Sequence, residues 1–225
     1  MRHSRWRTWL RAHTPTRLYD LGLVVPKARD CSDHDWYNVD GLTEACYHCL
    51  AARPRTRTVM DSNEVVRVLD SLEGVGVRAG VTGGWGIDGL LRRQTREHGD
   101  LDLGVPRSAI QAAIEALAAM RYTVTADDRP ARIVLVGPDG AVDLHPIEML
   151  PSGAGVQTGF DGQMFEYPPG SLEAEGEIGG RVVRCGTPEL QVTFHRGYEP
   201  REHDRRDMAA LADAFGLTLG PPYSD

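Results

Sequence analysis

Asp100 and Asp102 are separated by a single residue in the segment Arg96-Glu97-His98-Gly99-Asp100-Leu101-Asp102-Leu103. In an extended strand, side chains at positions i and i+2 point to the same face, so we expect the two carboxylates to lie side by side. Neighbouring carboxylates raise each other's pKa unless a positive group lies between them. Hard oxygen ligands favour Mg²⁺, whose shell is commonly completed by substrate phosphates. The acidic pair therefore predicts a magnesium site, in which the bound ion also contacts the phosphates of a substrate.

Two glycines, Gly83 and Gly84, stand upstream of this pair, between a predicted strand at residues 77–81 and a predicted helix at residues 85–91. Glycine allows the backbone to come close to a phosphate group. The unpaired N–H groups in the first turn of a helix, together with the helix dipole, favour an anion at this place. The turn therefore predicts a binding site for the triphosphate of a nucleotide.

A third carboxylate, that of Asp143, lies in a predicted hairpin. Strands are predicted at residues 133–136 and 141–146, and Gly137-Pro138-Asp139-Gly140 predicts the turn between them. Because side chains alternate along a strand, Asp143 and His145 share one face. If that face adjoins the acidic pair, Asp143 completes a site of three acids. His145 is then either a contact to the substrate or a histidine of the core.

The remaining patterns predict an α+β domain. A capped helix is expected after Asp61, with an apolar stripe that stops at Gly74, and Ser108 predicts a capping box that opens a helix through Met120. The glycine-rich run up to Gly159 is expected to be a loop. Further strands are expected at residues 101–105, 122–125, 160–167 and 181–185. A further helix is expected to begin at Thr187-Pro188, with Phe194, His195 and Tyr198 near its end, and a last helix at residues 204–215.

Three of the four cysteines lie near the amino terminus, in Cys31-Ser32-Asp33-His34 and Cys46-Tyr47-His48-Cys49. The spacing fits a tetrahedral Zn²⁺ site formed by Cys31, His34, Cys46 and Cys49. His48 in place of His34, or reduced thiols in a poorly folded leader, are the alternatives. We accordingly expect an amino-terminal basic extension with a zinc module over residues 1–58 and a catalytic domain over residues 59–225. Met60 could also be an internal start.

Charge divides the chain in the same region. Residues 1–60 carry a net charge of +4 and residues 61–225 a net charge of −11, within a total of −7. An acidic catalytic domain argues against nucleic acid as its substrate and suits a neutral or cationic small molecule. The 225 residues contain no apolar run long enough to span a membrane and no signal-like amino terminus. These features predict a cytoplasmic protein that does not bind membranes.

Four blocks, taken together, resemble the small antibiotic nucleotidyltransferases, lincosamide nucleotidyltransferases first and aminoglycoside 2''-nucleotidyltransferases next. They are Gly83-Gly84-Trp85-Gly86-Ile87-Asp88, residues 96–102, Asp143-Leu144-His145-Pro146-Ile147 and Phe194-His195-Arg196-Gly197-Tyr198. The resemblance implies a polymerase-beta-like nucleotidyltransferase fold, a small mixed sheet with helices. It also implies that Asp100, Asp102 and Asp143 ligate Mg²⁺, with Asp143 as the candidate base. His195, Tyr198 and Asp204 would line the acceptor pocket, although helix capping or packing would also explain them.

The reaction implied by the resemblance is transfer of a nucleoside monophosphate, AMP from ATP, to a hydroxyl of a lincosamide or aminoglycoside, with release of pyrophosphate. Arg96, His98 and Arg132 are candidate contacts for the triphosphate. A solvated surface role for the arginines and a structural role for His98 are the alternatives. A nucleotidyltransferase with a protein or tRNA acceptor, as in toxin-antitoxin systems, and a non-catalytic zinc and nucleotide-binding protein are the rival functions. Some members of such families act as dimers, which leaves a homodimer open.

Overall fold

The computed structural model describes residues 36–38, 43–46, 51–54, 59–196 and 199–223. The chain divides between Arg57 and Thr58 into two units. In the first unit, the strands β1 (Trp36–Asn38), β2 (Thr43–Cys46) and β3 (Ala52–Pro54) form an antiparallel sheet in that order. Cys46 ends β2 and is buried. The other predicted zinc ligands, Cys31, His34 and Cys49, lie outside the described residues, so the zinc module stays a prediction.

The second unit alternates helices and strands. Its helices are α1 (Ser62–Gly74), α2 (Gly83–Leu91), α3 (Ile110–Ala119), α4 (Pro188–Phe194) and α5 (Glu202–Phe215). Its strands are β4 (Gly80–Thr82), β5 (Asp100–Pro106), β6 (Thr123–Asp128), β7 (Arg132–Gly137), β8 (Gly140–Met149), β9 (Gly155–Thr158), β10 (Met164–Tyr167), β11 (Ala174–Ile178) and β12 (Arg181–Cys185).

These nine strands form one mixed sheet in the order β10-β9-β8-β5-β4-β12-β11, with the hairpin of β6 and β7 attached to β8. Two of its pairings are parallel, β5 with β8 and β4 with β12. The alternation along β5 fixes which face carries the acids, because Leu101, Leu103 and Val105 are fully buried in the core. Asp100 and Asp102 therefore point to the opposite face of the sheet. This confirms the mixed sheet with helices that the family resemblance implied.

Local sequence explains where helices α1 and α2 begin. Asp61 caps α1, since its Oδ1 accepts the N–H of Glu64 at 2.8 Å, and the predicted stripe of Val65, Val68 and Leu72 is buried. Helix α2 begins at Gly83, two residues earlier than predicted. Gly83 has a φ of +60°, which allows the chain to turn from β4 directly into the helix.

Three local predictions were wrong, and one strand was not predicted. Residues 107–109 form a 3₁₀ turn without a side-chain cap, so Ser108 opens no capping box. A second 3₁₀ turn at residues 160–162 replaces the start of the predicted strand 160–167. The predicted loop before Gly159 contains β9, and β11 was missed. Both missed strands contain glycine and few apolar residues, and their pairing with β10 and β12 outweighs this weak local preference.

Within the described ranges, no helix combines the length and the apolar composition that crossing a membrane requires.

Candidate active site

Asp102 and Asp143 are direct neighbours across the parallel pairing of β5 and β8. Because paired residues in adjacent strands present their side chains to the same face, the two carboxylates converge. His145 joins them from two residues further along β8. One possible ligand atom from each of the three residues lies within 4.8 Å of the other two. The sheet thus brings together acids that are far apart in the sequence.

The environment of Asp143 suits a cation. Its side chain is 12% exposed, Oδ1 is buried without a hydrogen-bond partner among the described residues, and Oδ2 accepts from Nη1 of Arg132 at 3.2 Å. Burial, together with the carboxylate of Asp102, raises the pKa of Asp143 to about 6, although His145 and Arg132 act in the opposite direction. A divalent cation bound between the two acids would satisfy the unpaired oxygen and stabilise both charges. The donor set therefore fits Mg²⁺.

Asp100 lies at the first position of β5, on the face that carries Asp102. It is exposed and lies outside the group of three closely spaced ligands. In register, Asp100 is opposite Ala141, the second residue of β8. Asp100, one of the three predicted acids, is therefore at the solvent-exposed end of the same row of side chains.

Gly83 and Gly84 pack directly against three of the candidate side chains. A Cβ atom built on Gly83 would overlap the carboxylate of Asp102, and one on Gly84 would overlap the ring of His98 and the guanidinium of Arg96. The N-cap residue of α2, Thr82, makes no side-chain capping bond. Thr82 therefore does not cap the N–H groups in the first turn of α2, which lie beside Asp102. Uncapped N–H groups at a helix amino terminus favour the binding of a phosphate.

His98 and Arg96 lie in a network behind this turn. His98 is 3% exposed, with Nε2 at 2.5 Å from Oδ2 of Asp88, and its ring centroid is 4.7 Å from that of Trp85. Nη2 of Arg96 lies 2.9 Å from the buried carboxylate of Asp207. Burial favours the structural alternative for His98 over contact with a phosphate. Asp88, in the block Gly83–Asp88, is a functional candidate that the sequence analysis did not single out.

Arg132 is the predicted phosphate-binding residue that the structure brings to the acids. In addition to its bond with Asp143, its guanidinium lies 5.4 Å from the ring centroid of Phe160. The side chain of Arg132 is 40% exposed, and Phe160 is 57% exposed. A positive charge that is both anchored and accessible can contact a phosphate beside the carboxylates.

His145 contacts the acids with one ring nitrogen and the buried side chain of Gln157 with the other, and Gln157 is in turn bonded to Tyr167. Nε2 of His145 lies 3.3 Å from Oδ1 of Asp102 and 4.0 Å from Oδ1 of Asp143, while its Nδ1 lies 3.1 Å from Nε2 of Gln157. The hydroxyl of Tyr167 donates to Oε1 of Gln157 at 2.6 Å. Burial lowers and the two carboxylates raise the pKa of His145, with a net upward direction. Sequence reasoning missed Gln157 because it lies in the run that was expected to be a loop.

The predicted acceptor residues have local partners. Nδ1 of His195 lies 2.7 Å from the carbonyl oxygen of Gln191, and Oδ2 of Asp204 accepts the N–H of Arg201 at 2.8 Å at the start of α5. These contacts favour the capping alternative for Asp204. Tyr198 lies outside the described residues.

Comparisons with known proteins cover this same part of the chain. The model of the aminoglycoside-2''-adenylyltransferase family matches residues 64–211. A lincosamide resistance protein of Staphylococcus haemolyticus is 30% identical over 149 residues, which span 66% of this chain and 92% of the relative. A crystal structure of a lincosamide antibiotic adenylyltransferase with bound lincomycin matches with a TM-score of 0.61 and 29% identity, covering 68% of this chain and 97% of the other.

The fold is also similar to that of a 2''-nucleotidyltransferase crystallised with adenylyl-2''-tobramycin. The TM-score is 0.56 at 21% identity, over 69% of this chain and 89% of that one. The residues matched by the family model include Asp102, Asp143, His145 and both glycines of the α2 turn.

Proposed function

The chain belongs to the aminoglycoside-2''-adenylyltransferase family and is a nucleotidyltransferase, and from this premise we propose that it transfers AMP from ATP to a hydroxyl of an antibiotic and releases pyrophosphate. We propose a lincosamide before an aminoglycoside as the acceptor. The lincosamide resistance protein is matched over 92% of its length, and the lincomycin-bound structure has the higher TM-score of the two structures compared.

The observation that carries this proposal is the register of Asp102 with Asp143. Two converging carboxylates lie beside a helix amino terminus that begins with two glycines, and one of them has a buried oxygen that no group in the described part of the chain contacts by a hydrogen bond. This combination of a cation site and a phosphate site on one face suits a metal-bound nucleotide.

We propose that Asp100, Asp102 and Asp143 would hold Mg²⁺. When bound there, the ion would neutralise charge on the triphosphate and on the departing pyrophosphate. The N–H groups at Gly83 and Gly84 bind the triphosphate, and Arg132 supplies a further positive contact. Asp143 is our candidate base for the acceptor hydroxyl, because its carboxylate lies beside Asp102 on the face that carries the acids and can accept a proton when it is ionised. A role for Asp143 as a metal ligand alone is the competing assignment.

The same proposal indicates which side chains would contact the acceptor. His145 lies beside Asp102 on the face that the acceptor must approach, and Arg132 with Phe160 borders that face. His195 and Tyr198 remain predictions from the family pattern, as does Asp204.

The test is an assay of the full chain with ATP labelled on its α-phosphate, Mg²⁺ and separate samples of a lincosamide, an aminoglycoside and tRNA. The expected product is an adenylylated drug, identified by mass spectrometry, together with one pyrophosphate for each drug molecule modified. The Asp102→Asn variant is the negative control, and Asp139→Asn, at an exposed position in the turn between β7 and β8, is the matched control for loss of one carboxylate.

The other outcomes separate the rival functions. If the label appears on tRNA or protein and on neither drug, the acceptor is a macromolecule and not an antibiotic. Binding of ATP without transfer to any acceptor would support a non-catalytic protein. Nucleotide preference follows from repeating the assay with GTP, CTP and UTP.

Two further expectations are proposed separately. Zinc binding by Cys31, His34, Cys46 and Cys49 predicts one equivalent of zinc in the purified full chain, lost on substitution of Cys46 by serine. A homodimer predicts twice the monomer mass in sedimentation equilibrium. Neither result changes the assignment of the catalytic residues.

A further inference from the structure

A chain of hydrogen bonds leads from the edge strand β10 to the carboxylate of Asp102 on β5. The hydroxyl of Tyr167, on β10, donates to Oε1 of Gln157 on β9, and Nε2 of Gln157 lies 3.1 Å from Nδ1 of His145 on β8. The other ring nitrogen of His145 faces Asp102 on β5. Tyr167 and Gln157 are 4% and 8% exposed. Four adjacent strands therefore each contribute one member of a polar chain that is buried at its Tyr167 end.

The orientation of the Gln157 amide is fixed by its third contact. Its Nε2 donates to the carbonyl oxygen of Ala131 at 2.8 Å. A carbonyl oxygen can only accept, so the NH₂ group, and not Oε1, must face Ala131. The flipped amide would place two oxygens against each other, and Oε1 would also lose the hydroxyl of Tyr167. Gln157 thus presents a donor, its second N–H, to His145.

This donor selects the tautomer of the ring. In a neutral imidazole one nitrogen donates and the other accepts. Because Nδ1 faces an N–H of Gln157, Nδ1 is the acceptor and the ring proton lies on Nε2. That proton points at Oδ1 of Asp102. A second ring proton on Nδ1 would face the Gln157 N–H and displace it.

We propose that Gln157 and Tyr167 hold His145 as the Nε2–H tautomer, so that His145 orients the carboxylate of Asp102 as a hydrogen-bond donor and does not ligate the metal. A histidine ligates through an unprotonated nitrogen, and the nitrogen that faces the acids carries the proton. The cation site is then formed by carboxylates alone and prefers Mg²⁺ over Zn²⁺. This inference rests on the proposed function in treating the site as a magnesium site.

The tautomer is measured directly by ¹⁵N NMR of the metal-free full chain with labelled histidine rings at pH 8. The chain has eight histidines, and the spectrum of His145→Asn identifies the signals of His145. The expected result is a protonated Nε2 and an unprotonated Nδ1 for His145. A proton on Nδ1, or an imidazolium at this pH, would overturn the proposal. The measurement requires no turnover, so it stands even if no antibiotic is modified.

Metal selectivity provides the second test, by calorimetric titration of Mg²⁺ and Zn²⁺ into wild type and Gln157→Glu. A carboxylate at position 157 accepts from Nδ1–H and leaves Nε2 free to ligate, the arrangement found behind many zinc-bound histidines. Each titration is repeated in the His145→Asn background, so that only binding that depends on His145 is compared. The expected result is an increase of about tenfold or more in the ratio of Zn²⁺ to Mg²⁺ affinity.

Gln163→Glu is the matched control, because Gln163 is exposed and adjoins β10. It should leave the affinity ratio and the His145 signals unchanged.

Tyr167→Phe tests the contribution of the tyrosine, since it removes only the hydroxyl that donates to Oε1 of Gln157. It should loosen the side chain of Gln157 and weaken Mg²⁺ binding about tenfold, while the contact with Ala131 keeps the Nε2–H form of His145 the major tautomer. A wild-type site that binds Zn²⁺ through Nε2 of His145, or a Gln157→Glu variant that folds and keeps the wild-type ratio and tautomer, would contradict the proposal.

Discussion

Nε2 of His98 lies 2.5 Å from Oδ2 of Asp88, and the Nδ1–Cε1 edge of the same ring packs against Gly84. The hydroxyl of Thr95 donates to the other oxygen of Asp88 at 2.6 Å. The buried pair therefore fixes the distance between helix α2 and the segment that leads into β5. Since the glycine turn is on α2 and the acids are on β5, this pair positions the phosphate site relative to the cation site.

Replacing Asp88 by alanine should destabilise the protein by about 2–3 kcal/mol, because the buried ring of His98 and the hydroxyl of Thr95 lose their partner. Unfolding by urea measures this change. The Asp213→Asn variant, at an exposed position on α5, is the control and should alter stability by less than about 0.5 kcal/mol. A stability equal to wild type would mean that the pair does not support the turn.

Asp102→Asn should lower turnover by about 10²–10³-fold or more, since one charge that faces the nucleotide phosphates is lost. The fold should persist because Asn has the same shape and Asp102 is partly exposed. The measurement is the rate of AMP transfer at saturating ATP, with circular dichroism as the check on folding. If the variant folds and transfers AMP at a near-normal rate, Asp102 on β5 is not part of the catalytic site.

Gly83→Ala should abolish activity for a steric reason. Its new methyl group would overlap the carboxylate of Asp102, and the positive φ adds strain of about 1–2 kcal/mol. Gly76→Ala separates the two effects, because Gly76 has a φ of +76° and no atom within 4 Å of its added Cβ. Gly76→Ala should lose stability but keep its kcat. Equal kcat losses in both variants would show that strain alone, and not the approach to Asp102, limits activity.

Asp143→Asn should stabilise the metal-free protein. The pKa of Asp143 is raised to about 6 from the ordinary 3.8, so its ionised form costs free energy in the folded state, and this cost is largest above pH 6. Removing the charge should add about 2 kcal/mol at pH 8 and about 1 kcal/mol less at pH 5, where wild-type Asp143 is largely protonated. Thermal unfolding at both pH values measures the difference.

The same variant should not gain stability from Mg²⁺, whereas wild type should. Asp139→Asn, at an exposed turn position, is the control and should show neither effect. A destabilised Asp143→Asn at pH 8 would mean that the bond from Arg132 outweighs the burial of the charge.

Most of the site was within reach of sequence reasoning because its residues carry strong local patterns. Asp100 and Asp102 alternate with buried leucines, and the hairpin turn before Asp143 sets the phase of β8. The glycine pair before an amphipathic helix predicted the phosphate turn. Helix α1 and the helix after Thr187 were also predicted, since their caps and apolar stripes are local features.

The residues that were missed have no such pattern. Gln157 lies in a glycine-rich segment that becomes a strand only by pairing with β8 and β10, so no local preference pointed to it. In the sequence, Asp88 is a single acid on a predicted helix. Only the tertiary structure shows that it contacts the ring of His98. His98 itself was considered for phosphate contact, and only its burial favours the structural role.

By itself, the sequence determined the family of chemistry, because acid spacing, glycine turns and strand phase are properties of neighbouring residues. Which distant residues meet was decided by the tertiary structure. The parallel register of β5 with β8 sets Asp102 beside Asp143, and the β8-β9-β10 pairing sets Gln157 behind His145. The physical reason is that hydrogen bonding between strands far apart in the chain fixes register, and register places every side chain on its face.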